Sequence, residues 1–501
     1  MKKLFLFLLL FGSSMLFCQT ILNSHSISLN NPKGNDNKLN FERLRSLDEI
    51  VVSATTNKNS SKNNQILHVE NEDTHEVFVF IKDSEKITIL KYNRALFLNS
   101  EYVFPLQNLE DVQLTGCSFS KNGNPNLYLS PNLPGNKAPL AFILTLKFDL
   151  ENKTHTLYST KLPATDVVVT TFQMNNSFHI LAQHRMMQAL IVYSFEEPKV
   201  AKKVFDLSSF TFQDKNGKMQ NFNSLTKAYP IEKMDVNDYN LLDKTAQKSK
   251  VYIQNNHIVL TLDYTPKNTQ AFDLNLENGH LTEKNFPQSV LQDAKKKSNS
   301  FYHRGKLYQI NASESELSLD IKDFNSGETL KNSRVLNESD QDFKNIPLFI
   351  QKDSRKPKDI KKPKRFLQHL NDLDVGLTVY NTKRKTYISI GGIPMAANKE
   401  NLFQAHTSYN SFLDDEFSDI DFEPIFHFKY AYFESILDQN LELVARDRSP
   451  LALDKLSYFL SKNKKIVLSN SFKLKDDCVL GYYDAKAKKY VMRKFTDGFD
   501  F

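Results

Sequence analysis

Tryptophan is absent from all 501 residues, and cysteine occurs only three times. The first absence argues against a sugar-stacking lectin or glycosidase, since the indole is the best aromatic face for such platforms. The 38 Phe and 20 Tyr keep smaller faces available. With Cys18 in the leader, only Cys117 and Cys478 remain, so no dense disulfide framework holds the chain and apolar packing must supply its stability. These two either form one long-range bridge or stay as two buried thiols. G-x-S-x-G, H-E-x-x-H, a glycine-rich phosphate loop ahead of a helix, and C-x-x-C are all missing. The common routes to a serine esterase, a zincin or a nucleotide enzyme therefore lack their signatures, although a site built from converging loops needs no linear motif. Beyond the N-terminus no stretch is long and apolar enough to span a bilayer.

What is present starts with MKKLFLFLLLFGSSMLFCQT. Lys2 and Lys3, the apolar run Leu4 to Phe11 and the small polar residues after it form a secretory signal over residues 1–18, cut before Gln19. The expected location is secreted or periplasmic. Lipid attachment at Cys18 is the alternative, weakened by Met15, Leu16 and Phe17 in place of small residues. Residues 19–64 are rich in Asn, Ser and Lys and read as a flexible leader with one closing strand at Glu49 to Ser53.

The formal charge is +7, or +5 once Lys2 and Lys3 leave with the signal. One segment carries it. Gln351 to Phe366 holds Lys352, Arg355, Lys356, Lys358, Lys361, Lys362, Lys364 and Arg365 against Asp353 and Asp359. The rest of the chain is close to neutral, which argues against a nucleic-acid-coating surface. Pro357 and Pro363 speak against a helix core, so these charges are expected on an extended, mobile loop.

Between residues 65 and 501 the dominant pattern is alternation in runs of five to eight residues bounded by Asn, Gly, Asp and Pro, which reads as strands. FQMNNSFHILA, VYIQNNHIVLTL, YHRGKLYQINA and YFLSKNKKIVLSN each place an aromatic strand, a turn and an apolar strand in order. Asn and Gly stand at the turns because tight hairpins demand φ > 0. A second hairpin follows each, with an acidic residue entering its turn, at offsets of 20, 17, 18 and 20 residues. The acidic landmarks Asp83, Asp149, Glu196, Asp273, Asp323, Asp438 and Asp484 are spaced by 66, 47, 77, 50, 115 and 46 residues.

Four-strand units of about 50 residues resemble the blades of β-propellers. The resemblance covers roughly residues 45–501 and implies an all-β propeller of about seven blades, or six, with insertions at 207–250, 343–370 and 396–423. No WD or kelch signature narrows it to a family. A pair of β-sandwiches is the competing architecture.

Candidate chemistry is sparse. DVNDYNLLDKTA, from Asp235, fails as a calcium loop because Tyr239 and Asn240 stand at the fifth-ligand and turn-glycine positions, and it reads as a solvated loop. The acidic insertion Leu413 to Pro424 reads as solvated or docked against the basic segment. His179, His184 with Arg185, and His303 with Arg304 read as packing or surface histidines. No metal and no cofactor are expected. The basic segment is the most suggestive surface, directed at a protein or an acidic polysaccharide. The expected role is a non-catalytic binding or scaffold module; the alternative is an extracellular glycan hydrolase or lyase with carboxylates drawn from several blades.

Overall fold

The computed structural model describes residues 19–29, 64–106, 112–131, 142–196, 199–293, 296–336, 346–352, 357–382, 385–394, 429–445, 451–463, 466–475 and 477–498. Among them, strands form seven sheets of four or more strands and one two-stranded ladder. Sheet 1 comprises Gln65–Glu70, Val77–Lys82, Lys86–Tyr92 and Leu98–Pro105. Sheet 2 runs from Val112–Phe119 to Thr154–Lys161, and sheet 3 from Asp166–Met174 to Lys199–Asp206, each in plain antiparallel order. Sheet 4 begins with Ser249–Gln254 and His257–Leu262 and ends with Leu281–Pro287, while sheet 5 spans Lys297–His303 to Thr329–Leu336.

Sheets 6 and 7 depart from this simple order. Sheet 6 starts with Asp374–Asn381, Thr386–Ile393 and Lys429–Leu437, and its fourth position is shared by Leu348–Lys352 and Leu443–Ala445 along the same third strand. Lys358–Ile360 adds an outermost edge strand. Sheet 7 comprises Ile466–Leu474, Asp477–Asp484 and Lys489–Phe495, and its outer strand is Gln19–Ser26 from the other end of the chain.

First strands touch between sheets 1 and 2, 2 and 3, 5 and 6, and 7 and 1, and apolar clusters fill the gaps between sheets. One cluster joins sheets 1 and 2, others join 2 to 3 and 3 to 4, and a large one spans 4, 5 and 6. Tyr380, Tyr387 and Ile436 of sheet 6 meet Leu451 at the entry to sheet 7. Val479, Tyr490 and Met492 of sheet 7 pack on Val77, Val79 and Ile81 of sheet 1, so the circuit returns to its start. Each fully buried Phe, Leu or Val contributes roughly 1.5–3 kcal/mol. The architecture is an all-β propeller, closed by the pairing of Gln19–Ser26 with Lys489–Phe495 on the outer edge of sheet 7.

Several expectations are corrected here. Ring closure uses Gln19–Ser26, inside the segment read as a flexible leader, whereas Glu49 to Ser53 lies outside the described residues. The closing strand is polar on one face; Leu22, Ile27 and Leu29 anchor it against sheets 7 and 1. The hairpin read at YFLSKNKKIVLSN is instead the helix Ala452–Lys462 followed by a strand. Leu456, Phe459 and Leu460 repeat at helical spacing and are buried, while Tyr458 is 62% exposed, and the Asp454 carboxylate accepts from Leu451 N at 2.8 Å.

The other three hairpins match their reading. Asn175 and Asn176, Asn255 and Asn256, and Arg304 and Gly305 all adopt positive φ between first and second strands. The acidic landmarks prove to be of two kinds. Asp149, Asp323 and Asp438 accept backbone N–H groups in turns between third and fourth strands. Asp83 and Asp484 do the same between second and third strands.

Insertion 207–250 contains the ladder Phe212–Gln213 with Met219–Gln220, the helix Phe222–Ala228, and a fifth strand of sheet 4, Ile231–Met234, parallel to Ser249–Gln254. Insertion 343–370 contributes blade strands after all, Leu348–Lys352 and Lys358–Ile360. Insertion 396–423, with its acidic run, lies outside the described residues.

Candidate functional site

The basic segment divides among several elements rather than forming one loop. Lys352 ends a strand of sheet 6, Arg355 and Lys356 lie outside the described residues, and Lys358 stands on the edge strand Lys358–Ile360. Pro363 opens a helix, Pro363–Asn371, instead of preventing one; a first helical position needs no N–H and suits the fixed φ of proline. Phe366, Leu367 and Leu370 bury one face of this helix between sheets 5 and 6. Lys364 and Arg365 point the other way. Lys358, Lys361, Lys362, Lys364 and Arg365 are all exposed, and Asp359 is the one acid among them. The structure thus brings five of the eight predicted bases onto one rim of sheet 6.

Hidden from sequence reading was the axis itself. Asp235 to Ala246, read as a solvated loop, is largely buried: Asn240 and Thr245 have no exposure, and Asp238, Lys244 and Ala246 have at most 5%. Lys233 Nζ donates to Thr171 O of sheet 3 at 3.3 Å, and Ile231–Met234 pairs along sheet 4. Lys473 Nζ of sheet 7 donates to Asn237 O at 2.5 Å, and Tyr239 Oη donates to Ser389 Oγ of sheet 6 at 3.2 Å. Asn240 N donates to Thr378 Oγ1 at 3.3 Å. Gly376 lets this close approach happen, because a Cβ there would sit 2.9 Å from Ala246 N. One excursion of the chain therefore bridges sheets 3, 4, 6 and 7. Its own oxygens are engaged within the fold: Asn240 Nδ2 spans Asp235 O and Asp238 O. Among the described residues no group of His, Cys, Asp and Glu is arranged to hold a metal.

Beside this plug, Lys250 Nζ donates to Asp263 Oδ2 at 2.8 Å, Asn299 Oδ1 at 2.5 Å and Gln247 O at 2.7 Å. Asp263 also accepts from Thr269 Oγ1 and Ser300 Oγ, and Asn299 Nδ2 reaches Val375 O at 2.7 Å. Burial pushes the Lys250 ammonium below its usual range. This network ties sheets 4, 5 and 6 together.

The turns at the opposite ends of the inner strands are also linked. Asn175 Nδ2 donates to Asn256 Oδ1 at 2.7 Å, and Asn176 Nδ2 donates to Asn71 Oδ1 at 3.2 Å, so sheets 1, 3 and 4 meet there.

The histidines divide by environment. His179 stacks on Phe172 at 4.9 Å and bonds Ser194 Oγ at 2.9 Å; burial pushes its pKa down to about 4. His184 Nδ1 accepts from Met186 N and Met187 N, with Nε2 3.8 Å from Asp166. His68, unremarked in the sequence, links sheets 1 and 7 through a 2.5 Å bond to Tyr490 Oη, and burial pushes it down to about 3. Cys117 and Cys478 are both buried free thiols, in separate apolar clusters, and burial pushes both thiols up.

No family model matches the chain, and no curated protein matches it in sequence. Among solved structures it is similar to dipeptidyl peptidase 4 of Porphyromonas gingivalis (8% identity, TM-score 0.30), covering 66% of this chain and 51% of that one. It is similar to the WD40 domain of SCAP from fission yeast (9% identity, TM-score 0.26), covering 84% and 82%. It is also similar to the dihydro-heme d1 dehydrogenase NirN (11% identity, TM-score 0.29), covering 88% and 68%. The chain spans about half the length of the dipeptidyl peptidase. These likenesses concern the fold alone. The chain is a β-propeller, and among its described residues no helix is long and apolar enough to cross a membrane.

Proposed function

We propose that this propeller is a secreted or periplasmic, non-catalytic binding or scaffold module for a protein or polyanionic partner. The occupied axis carries the reading. With Ile231 to Ala246 packed against the inner strands of sheets 3, 4, 6 and 7, recognition is left to loops and rims on a rigid frame. The exposed bases Lys358, Lys361, Lys362, Lys364 and Arg365 are the contact surface for the acidic partner. Removal of residues 1–18 would leave Gln19 as the first residue of the closing strand, with the strand intact.

The competing account of these lysines is edge protection, since charge on an outer strand discourages pairing with other sheets. A pull-down from cell-envelope extract separates the two, comparing the mature chain with a variant carrying all five bases as Gln. A partner retained by the first, lost by the variant and eluted by salt supports the reading. Equal capture by both chains would overturn the basic rim as the contact. Recovery of shortened glycans would overturn the non-catalytic reading.

A further inference from the structure

In sheet 3 the turn between second and third strands, from His184 to Ala189, is built unlike its counterparts in sheets 1 and 7. At Asp83 and Asp484 one carboxylate of the turn itself accepts two backbone N–H groups. Here His184 Nδ1 accepts from Met186 N at 3.1 Å and Met187 N at 2.8 Å, and Arg185 N donates to Thr165 O at 2.8 Å. Asn223 Nδ2, on the helix Phe222–Ala228 of insertion 207–250, shares its donors among His184 O, Arg185 O and Met187 O. Gln183 Nε2 fixes Asn223 Oδ1 at 2.8 Å, and Gln188 Oε1 accepts from Phe222 N at 2.7 Å. Turn and helix hold each other, so the shape of the tip is set before any partner arrives.

What the braced tip presents is apolar. Met186 is 81% exposed and Met187 51%, side by side in the chain. Single exposed apolar side chains are ordinary, but a turn that only reverses the chain takes polar residues and needs no such bracing.

Charge selects the partner. The register places two carboxylates beside the turn, Asp166 opposite His184 and Asp206 opposite Ala189. Asp166 is buried, holds Tyr193 Oη and Thr165 Oγ1, and has Lys202 Nζ 4.0 Å away. Asp206 accepts from Ser208 N at 2.8 Å. Arg185 and Lys227 are exposed, and neither pairs with a carboxylate among the described residues. Lys227 stands one helical turn beyond Asn223, on the side that meets the tip. A second copy of the chain would set these bases against each other. A lipid surface would call for Trp, Tyr or Phe at the tip, and none stands there. Methionine instead adapts to apolar side chains of varied shape.

We propose that the tip Arg185–Met187, with Lys227 on the helix that braces it, is a docking surface for a peptide segment whose apolar side chains are flanked by carboxylates. The two thioether side chains receive the apolar residues, and Arg185 and Lys227 pair with the acids. This surface is separate from the basic rim of sheet 6, and its failure would leave that reading untouched.

The test selects a phage-displayed library of random peptides on the mature chain, then titrates enriched peptides into protein carrying carbon-13-labelled methionine methyl groups. Enriched peptides are expected to place Leu, Ile, Val or Phe beside Asp or Glu and to move the Met186 and Met187 methyl resonances saturably. Binding should weaken by roughly tenfold or more in the double variant Met186→Ser, Met187→Ser. In Arg185→Ala it should weaken and lose part of its salt dependence. All three side chains are exposed, and circular dichroism checks that the fold is kept. Failure to enrich any peptide would overturn the proposal, as would equal binding to the wild type and the methionine variant. Movement of both methyl resonances by phosphatidylglycerol vesicles, with no enriched peptide, would overturn it in favour of a lipid surface.

Discussion

The Lys250 ammonium lies 2.8 Å from the Asp263 carboxylate, and neither side chain has any exposure to solvent. Removing one partner leaves the other charged and buried, which costs about 3–5 kcal/mol, far more than breaking a surface pair. Lys250→Met is therefore expected to lower stability by that amount in urea unfolding. Adding Asp263→Asn should return part of it, since the stranded charge is gone. Simple addition of the two losses would show that the pair does not act as a unit.

Closure by Gln19–Ser26 makes a second prediction. This strand is the only cover on the outer edge of Lys489–Phe495 among the described residues. A chain beginning after Leu29 loses that ladder and also the buried Ile27 and Leu29. Amide exchange in Lys489–Phe495 is expected to accelerate ahead of the inner strands, with a lower thermal midpoint. Undiminished protection there would show that sheet 7 holds without its outer strand.

The same strand shows what sequence could and could not reveal. Turn chemistry is local, so the asparagine pairs at 175–176 and 255–256 were legible: positive φ needs residues that tolerate it. Gln19–Ser26 was not, because it has little apolar surface of its own and is stabilised by an edge built from residues more than 450 positions away. Asp235 to Ala246 looked solvated for a related reason. Its polar groups are satisfied by distant sheets, and composition cannot report a partner such as Thr378. The aromatic run at Tyr458 and Phe459 ahead of a polar turn suggested a strand, yet the spacing of Leu456 and Leu460 decided for a helix. Of the eight bases, the charge cluster was legible and its division between an edge strand and a helix was not.

Gly481 in sheet 7 faces His68 and Tyr490 so closely that a methyl group would overlap both the imidazole and the hydroxyl. Both neighbours are packed, with His68 stacked on Phe472 at 4.7 Å. Gly481→Ala is expected to cost about 1–3 kcal/mol, the usual range for overpacking. In a His68→Ala background the same substitution should cost less, because one of the two obstructions is gone while the Tyr490 hydroxyl stays. Equal costs in both backgrounds, measured by urea unfolding, would place the strain elsewhere.

Three histidines set a pH response whose sign can be worked out. Burial lowers His68 to about 3, and His179 and His303 to about 4, from the ordinary 6.5. Below 6.5 the unfolded chain therefore takes up protons that the folded chain refuses, so stability must fall as pH drops. Each histidine contributes a slope of up to about 1.4 kcal/mol per pH unit between its unfolded and folded values. Exposed turn carboxylates such as Asp149, Asp214 and Asp323 are held low by hydrogen bonds from neighbouring residues, and they act only in more acidic solution. Between pH 6.5 and 5 the histidines should dominate. Urea unfolding across this window is expected to show stability falling on acidification, with a shallower slope in His179→Gln, whose ring bonds Ser194 and stacks on Phe172. A flat profile from 6.5 to 5 would mean that the buried imidazoles open to solvent without global unfolding, and that the inter-sheet contacts at His68 and His179 are looser than their geometry implies.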